Sequence, residues 1–147
     1  MAKKSPTYQD AELILKLYDL RREAVMRESR NAINGKFWPQ TYEDLLAITK
    51  PEHPLNAAFR QTSSYWEMAY GLARHGIVHA DYLVENNGEG LFLYAKVQPY
   101  LERFRKENSS PAAFQNAEWI STKCAEGKRR FAAIQARVAR MTAAHKK

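Results

Sequence analysis

The 147-residue chain has few of the residues that mark stapled, fibrous or disordered proteins. It has one cysteine, six glycines and six prolines. The single Cys124 excludes an internal disulfide and a cysteine-rich zinc site. The low glycine and proline content excludes collagen-like and linker-like chains. Hydrophobic residues make up 45% of the chain, which is enough to bury the core of one globular domain.

Long apolar segments are also missing from the sequence. No window reaches the roughly 18 apolar residues of a transmembrane helix, and no apolar run follows the basic residues at the N-terminus. We therefore expect neither a transmembrane segment nor a secretory signal. A lone cysteine suits a reducing compartment, so the expected localisation is cytoplasmic.

Alternating strand patterns are nearly absent, whereas helix caps and stops are frequent. We predict an all-α, single-domain helical bundle of five to seven helices that spans residues 1–147. Thr7 and Thr41 each precede an aspartate by three residues, which is typical of a capping box. The predicted helices cover about residues 8–34, 41–50, 54–75, 80–85, 91–106 and 111–142.

The last predicted helix has the most regular pattern. Nine residues follow one another in steps of three or four: Ala113, Ala117, Ile120, Cys124, Gly127, Phe131, Ile134, Val138 and Met141. This heptad seam predicts one long, unbroken C-terminal helix over about 111–142, with a short tail at 143–147. We expect the seam to pack inside its own domain, against the acidic first helix, with Gly127 allowing close approach of another helix.

Alanines line the opposite side of this helix. Two interpretations of these alanines are open. Alanine has the highest helix propensity, and small side chains would also let another helix pack closely on this side. The residues are Ala125, Ala132, Ala133, Ala136, Ala139 and Ala143.

The net charge of +7 is confined to the C-terminal segment. Residues 1–122 carry 15 basic and 15 acidic residues, whereas residues 123–147 carry eight basic residues and one acidic residue. Such an asymmetry indicates an anionic partner, or simply a solvated helix face. The candidate anion-binding residues are Lys123, Lys128, Arg129, Arg130, Arg137 and Arg140.

No pattern of catalytic, metal-binding or phosphate-binding residues occurs in the chain. His75 and His79 have a helical metal-ligand spacing, but Gly76 lies between them beside a predicted helix end. Cys124 has no histidine nearby in sequence and is interpreted as a small buried hydrophobe. We therefore predict no catalytic residue, no metal and no cofactor, and the sequence favours a protein that is not an enzyme.

Two aromatic-rich helices offer a candidate ligand pocket, with charged residues interleaved among the rings. A hydrophobic core with hydroxyl groups at its rim is the favoured interpretation of the same pattern. The candidate pocket residues are Tyr65, Trp66, Tyr70, Tyr94 and Arg103.

Three segments carry a resemblance to known sequences: YDLRREAVMRESR, GLARHGIV, and YAKVQPYLERFR followed by AFQNAEW. In these runs the chain resembles uncharacterised bacterial all-helical proteins that are classed as domains of unknown function. The resemblance implies an all-helical bacterial cytosolic protein and no particular chemistry.

The leading functional hypothesis is a non-enzymatic helical interaction protein that self-associates through a face other than the seam. Its expected partner is a second copy or another helical protein. An anion-binding module for nucleic acid or acidic protein, using the basic C-terminal helix, is the alternative. A small-ligand binder or enzyme that uses the aromatic helices is the third hypothesis.

Overall fold

The computed structural model describes residues 3–146, and these residues form eight α-helices and no strand. The predicted all-α class is confirmed. The number of helices exceeds the predicted five to seven because each of the two longest predicted helices is divided in two. The helices are α1 (Tyr8–Arg22), α2 (Ala24–Lys36), α3 (Tyr42–Ile48), α4 (Asn56–Arg74), α5 (Ala80–Asn86), α6 (Glu89–Glu107), α7 (Gln115–Lys123) and α8 (Ala125–Ala144).

Local capping starts two of these helices, as predicted. In α1, the Asp10 amide donates to Thr7 Oγ1 at 3.3 Å, and the Thr7 amide donates to the Asp10 carboxylate at 2.8 Å. Thr41 and Asp44 form the same reciprocal pair at the start of α3. The buried Asp10 carboxylate also accepts a hydrogen bond from Lys3 Nζ at 2.7 Å. These caps satisfy amides that have no partner within the helix.

The first predicted helix is not continuous from residue 8 to residue 34. The backbone at Glu23 is extended, with ψ at 143°, and this turn separates α1 from α2. The Glu23 carboxylate then accepts hydrogen bonds from the amides of Val25 and Met26, at 3.1 and 3.0 Å. Because these bonds hold the pKa of Glu23 below its usual value, the carboxylate stays charged and caps the positive end of α2.

The unbroken C-terminal helix predicted over 111–142 is also wrong. Cys124 has φ −99° and ψ 127°, and this extended residue separates α7 from α8. Asp81 on α5 stabilises the corner, because its Oδ1 accepts from the Glu126 amide at 2.9 Å and from the Cys124 thiol at 3.0 Å. A carboxylate from another helix therefore supplies the N-terminal cap that α8 lacks locally.

The start of α7 also lies later than predicted, at residue 115. Phe114, just before it, has a left-handed backbone with φ 57°. Glu67 on α4 replaces a local cap, since its two carboxylate oxygens accept from the amides of Asn116 and Ala117 at 3.0 and 2.8 Å. Both helices that form the C-terminal segment are thus capped by side chains of distant helices.

The seam packs inside its own domain, as predicted, but its neighbours differ. Ala117, Ile120, Cys124 and Val138 are buried. Helix α7 packs mainly against α4 and α8, and α8 packs mainly against α5, α6 and α7, while α1 lies mainly against α2. The prediction that the first helix is the preferred neighbour of the seam is therefore wrong.

Gly127 permits the sharp corner between α7 and α8. A Cβ atom at Gly127 would lie 2.0 Å from the carbonyl oxygen of Ile120, far inside van der Waals contact. The close approach predicted for Gly127 is thus with the preceding helix of the same corner. Within residues 3–146, no helix combines the length and the apolar character needed to cross a lipid bilayer.

Candidate functional site

Four of the five residues predicted to line a ligand pocket are buried in the core. Tyr65, Trp66 and Tyr70 lie on α4, and Tyr94 lies on α6. The hydroxyl groups of Tyr65 and Tyr70 donate to backbone carbonyl oxygens at 2.5 and 2.8 Å. Complete burial raises the pKa of Tyr70, so its hydroxyl remains a protonated donor. The α4 aromatics are therefore brought together as packed and hydrogen-bonded core residues.

Arg103 lies apart from these aromatics, on the surface of α6. Its guanidinium carbon is 3.9 Å from the ring centroid of Tyr42, and its Nε donates to Glu107 at 2.8 Å. Tyr94 packs inward, with its ring centroid 5.3 Å from that of Phe131. A ligand pocket built from all five residues stays a prediction.

The six predicted anion-binding residues lie at the end of α7 and around the circumference of α8. Arg129 and Arg130 both bind the carboxylate of Glu126, the latter at 2.6 Å. The guanidinium of Arg137 is 5.7 Å from the ring centroid of Phe92. Among the ion pairs of residues 3–146, none involves the remaining three cations, which are exposed: Lys123, Lys128 and Arg140.

The alanine side of α8 is exposed along its length. At helical spacing, the residues opposite the buried Gly127 and Val138 form one row that we call the outer face of α8. All six alanines that the sequence analysis places on this side are exposed. The outer face of α8 consists of Ala125, Arg129, Ala132, Ala136, Arg140 and Ala143.

A second exposed row lies on α1, opposite its buried Ile14 and Leu17. It consists of Tyr8, Glu12, Leu15 and Asp19, at steps of four, three and four residues, and we call it the outer face of α1. Tyr8 is 85% exposed and Leu15 is 64% exposed. The sequence analysis places none of these residues in an interaction surface.

The thiol of Cys124 is a buried hydrogen-bond donor rather than an activated nucleophile. Burial, together with its hydrogen bond to the Asp81 carboxylate, raises the pKa of Cys124 to about 12. The thiolate, which is the nucleophilic form, is therefore scarce at neutral pH. The sequence-based interpretation of Cys124 as a small buried residue agrees with its 3% exposure.

Lys96 on α6 is the most unusual ionisable group in the described structure. Its side chain is buried, with only 3% exposure, and Nζ donates to the carbonyl oxygens of Ile33 and Asn34 at 3.0 and 3.3 Å. Nζ also lies 3.8 Å from the ring centroid of Trp38 and 4.8 Å from that of Phe92. None of the salt bridges within residues 3–146 involves Lys96.

Burial without a carboxylate lowers the pKa of Lys96 to about 7. A large part of this lysine is therefore neutral at physiological pH, and a neutral amine accepts protons and attacks carbonyl carbons. The C-terminal carbonyls of α2 and the faces of the aromatic rings stabilise the charged form in part. Such a perturbed group is a candidate functional residue by its physics alone.

Residues near the C-terminus pack over the aromatic rings and loop that surround Lys96. His145 stacks on Trp38 with ring centroids 4.4 Å apart, and Gln40 donates to the Thr142 carbonyl at 2.9 Å. Two open grooves of about 280 and 460 Å³ lie between α6 and α8 on this side, the first lined in part by Lys96 and the second by Phe92. Within residues 3–146, no group of three histidine, cysteine or acidic side chains is arranged to hold a metal ion.

A family model described as "Domain of unknown function (DUF4760)" matches residues 6–124. None of the curated proteins and none of the solved structures matches the chain. The matched range begins just before α1 and ends at Cys124, the corner residue between α7 and α8. Because it covers most of the 147 residues, the chain belongs to this family of domains of unknown function.

Proposed function

We propose that this chain is a non-enzymatic helical interaction protein that self-associates through the outer face of α1. One observation carries the proposal. Five of the seven large hydrophobic side chains that are exposed lie between residues 8 and 25, and the two most exposed of all, Tyr8 at 85% and Leu15 at 64%, lie on the outer face of α1. The five residues are Tyr8, Leu15, Tyr18, Leu20 and Val25.

Four of these five side chains lie on α1, and exposed apolar residues concentrated on one helix are typical of a protein–protein contact. Single exposed apolar residues are common on protein surfaces, whereas contiguous apolar patches mark interaction sites. Aromatic residues such as Tyr8 and Tyr18 are enriched at the centres of interfaces. Glu12 and Asp19 beside them supply the polar component of such a surface.

We expect Leu15→Glu to weaken self-association at least roughly tenfold. Burying a leucine side chain contributes about 1.5–3 kcal/mol, and about 1.4 kcal/mol corresponds to a factor of ten in affinity. Light scattering from about 10 µM to about 1 mM protein would follow the average mass, a range that covers weak dissociation constants. Glutamate is a good helix former, so the variant should remain folded.

Met68→Glu is the matched control, because Met68 is 49% exposed on α4 and lies outside the outer face of α1. Its association should equal that of the wild type. A wild-type chain that remains strictly monomeric over the whole concentration range would refute self-association. Equal effects of the two substitutions would refute the assignment to α1.

A second candidate function is binding of a nucleic acid by α8. It is favoured by Lys123, Lys128 and Arg140, which are exposed and take part in no ion pair within residues 3–146. We expect affinity for labelled duplex DNA or single-stranded RNA to fall steeply between about 50 and about 200 mM salt. The double variant K128E/R140E should reduce the salt slope by about 2, whereas Lys36→Glu on the exposed end of α2 should not. Binding that does not depend on salt would contradict this candidate.

A further inference from the structure

The outer faces of α1 and α8 carry opposite charges. Glu12 and Asp19 lie within the α1 row, and Arg129 and Arg140 lie within the α8 row. Among residues 3–146, Glu12, Asp19 and Arg140 take part in no ion pair, and Arg129 pairs only with its helix neighbour Glu126. Each face therefore presents charge for which the other face is the complement.

The two faces also differ in the size of their apolar residues. The α1 face has the bulky Tyr8 and Leu15 beside its acidic residues, whereas the α8 face has only alanines beside its arginines. Small side chains let a second helix approach closely, and large side chains fill the grooves that they leave. The large residues of α1 thus fit the shallow surface of α8 in shape as well as in charge.

Pairing of like faces is opposed by charge. Two α1 faces bring Glu12 and Asp19 of one copy against the same acids of the other, whether the helices run parallel or antiparallel. Lys16 lies at the edge of the α1 row, and the exposed Arg22, three residues after Asp19, continues the row at its C-terminal end, where its guanidinium is 5.3 Å from the Tyr18 ring. In an antiparallel pair this arginine would face Tyr8 of the other copy, so the two acids still meet acids. Two α8 faces would likewise set arginine against arginine.

We infer that the outer face of α1 binds the outer face of α8 on a second copy of this chain. The inference rests on the self-association proposed above and specifies its partner surface. Within one chain the two faces point away from the core, because α1 packs mainly on α2 while α8 packs mainly on α5, α6 and α7. Such an interface closes as a twofold dimer if α1 of each copy meets α8 of the other at the same time, and otherwise it continues into longer chains or closes as a ring.

Two variants, each blocked on one face, test this pairing. Leu15→Glu blocks the α1 face, and Ala136→Glu places a bulky acid in the centre of the α8 face. Each variant alone should be a monomer at concentrations where the wild type forms larger species. A 1:1 mixture should form a complex of two chains and stop there, because only the intact α1 face of one variant and the intact α8 face of the other remain.

Gln135→Glu is the matched control for Ala136→Glu. It adds the same charge at the next position of α8, an exposed residue about 100° around the helix from the outer face. This control should assemble like the wild type. Far-UV circular dichroism verifies that all variants are folded, and mass measurement by analytical ultracentrifugation gives the number of chains.

The outcomes separate the two proposals. If Ala136→Glu assembles like the wild type while Leu15→Glu does not, the α1 face pairs with itself or with another surface, and the α8 pairing is wrong although self-association stands. If the mixture of the two variants stays monomeric, the pairing is also overturned. If the wild type is monomeric at every concentration, self-association itself is wrong.

Discussion

Replacing Gly127 with alanine is expected to lower the free energy of unfolding by about 3 kcal/mol, at the upper end of the usual effect of overpacking. The new Cβ atom would lie 2.0 Å from the Ile120 carbonyl oxygen and 2.8 Å from the Ile120 carbonyl carbon. Both are backbone atoms, so no side-chain rotation relieves the clash. The corner between α7 and α8 must open, which strains the hydrogen bonds that Asp81 makes there.

Gly35→Ala is the matched control for this substitution. Gly35 lies near the end of α2, and its added Cβ would meet no atom within 4 Å. Alanine is favoured over glycine in a helix by about 1 kcal/mol, so this variant should equal or slightly exceed the wild type in stability. Urea denaturation followed by circular dichroism measures both changes. A Gly127→Ala protein that unfolds at the wild-type urea concentration would contradict the geometry of the corner.

The sequence predicted those parts of the fold that local interactions determine. Thr7 with Asp10 and Thr41 with Asp44 lie three residues apart, so both capping boxes could be predicted from short sequence segments. The seam through Ile120 likewise indicated the buried side of the C-terminal segment. In each case the interacting groups lie within one or two helical turns of each other.

The helix breaks could not be predicted in this way. The break at Cys124 depends on Asp81, which lies 43 residues earlier, and the start of α7 depends on Glu67, 49 residues before Asn116. A heptad pattern continues through such a corner because both helices bury the same seam. Only the fold brings the capping carboxylates to these amides, so the pattern alone predicted one continuous helix.

The candidate interaction surface was partly visible in the sequence. The alanine side of α8 was recognised, and the structure shows that it is exposed. The outer face of α1 was missed because the sequence analysis treated the first helix only as an acidic neighbour for the seam. The helix has more apolar residues than one side can bury, and that excess was the available signal. Lys96, enclosed in the apolar run LFLYAKV, offered a similar signal for a buried charge.

Replacing Lys96 with methionine is expected to raise the free energy of unfolding at pH 7 by about 2–4 kcal/mol. The pKa of Lys96 is about 7 in the folded chain, against about 10.4 for a free lysine side chain. At neutral pH the unfolded chain binds the proton more tightly than the folded chain does, which favours unfolding. Methionine removes this penalty, has a similar length, and contacts the rings of Trp38 and Phe92 favourably.

The lowered pKa of Lys96 also determines how the free energy of unfolding depends on pH. Between about pH 7 and about pH 10.4 the unfolded chain carries more protons than the folded chain, so wild-type stability should rise with pH by up to about 1.4 kcal/mol per unit. Below the folded pKa of about 7, Lys96 is protonated in both states and contributes no slope. Lys96→Met should lack this rise. Subtracting the variant's free energy of unfolding from that of the wild type at each pH isolates the contribution of Lys96 from that of other groups that titrate at high pH.

Two further variants test whether the effects on stability come from a buried charge at this position. Lys96→Arg keeps a group that stays charged at every accessible pH, so it should be less stable than the wild type, and the difference should grow as pH rises. Lys36→Met, at an exposed lysine on α2, should change neither the stability nor its pH dependence. Urea denaturation at about pH 6, 7.5 and 9 spans the window in which the two protonation states separate. The opposite result would be a Lys96→Met protein that is less stable than the wild type and whose free energy of unfolding has the same pH slope. In that case the hydrogen bonds to the Ile33 and Asn34 carbonyls outweigh the burial of the charge, and the lysine stabilises the fold.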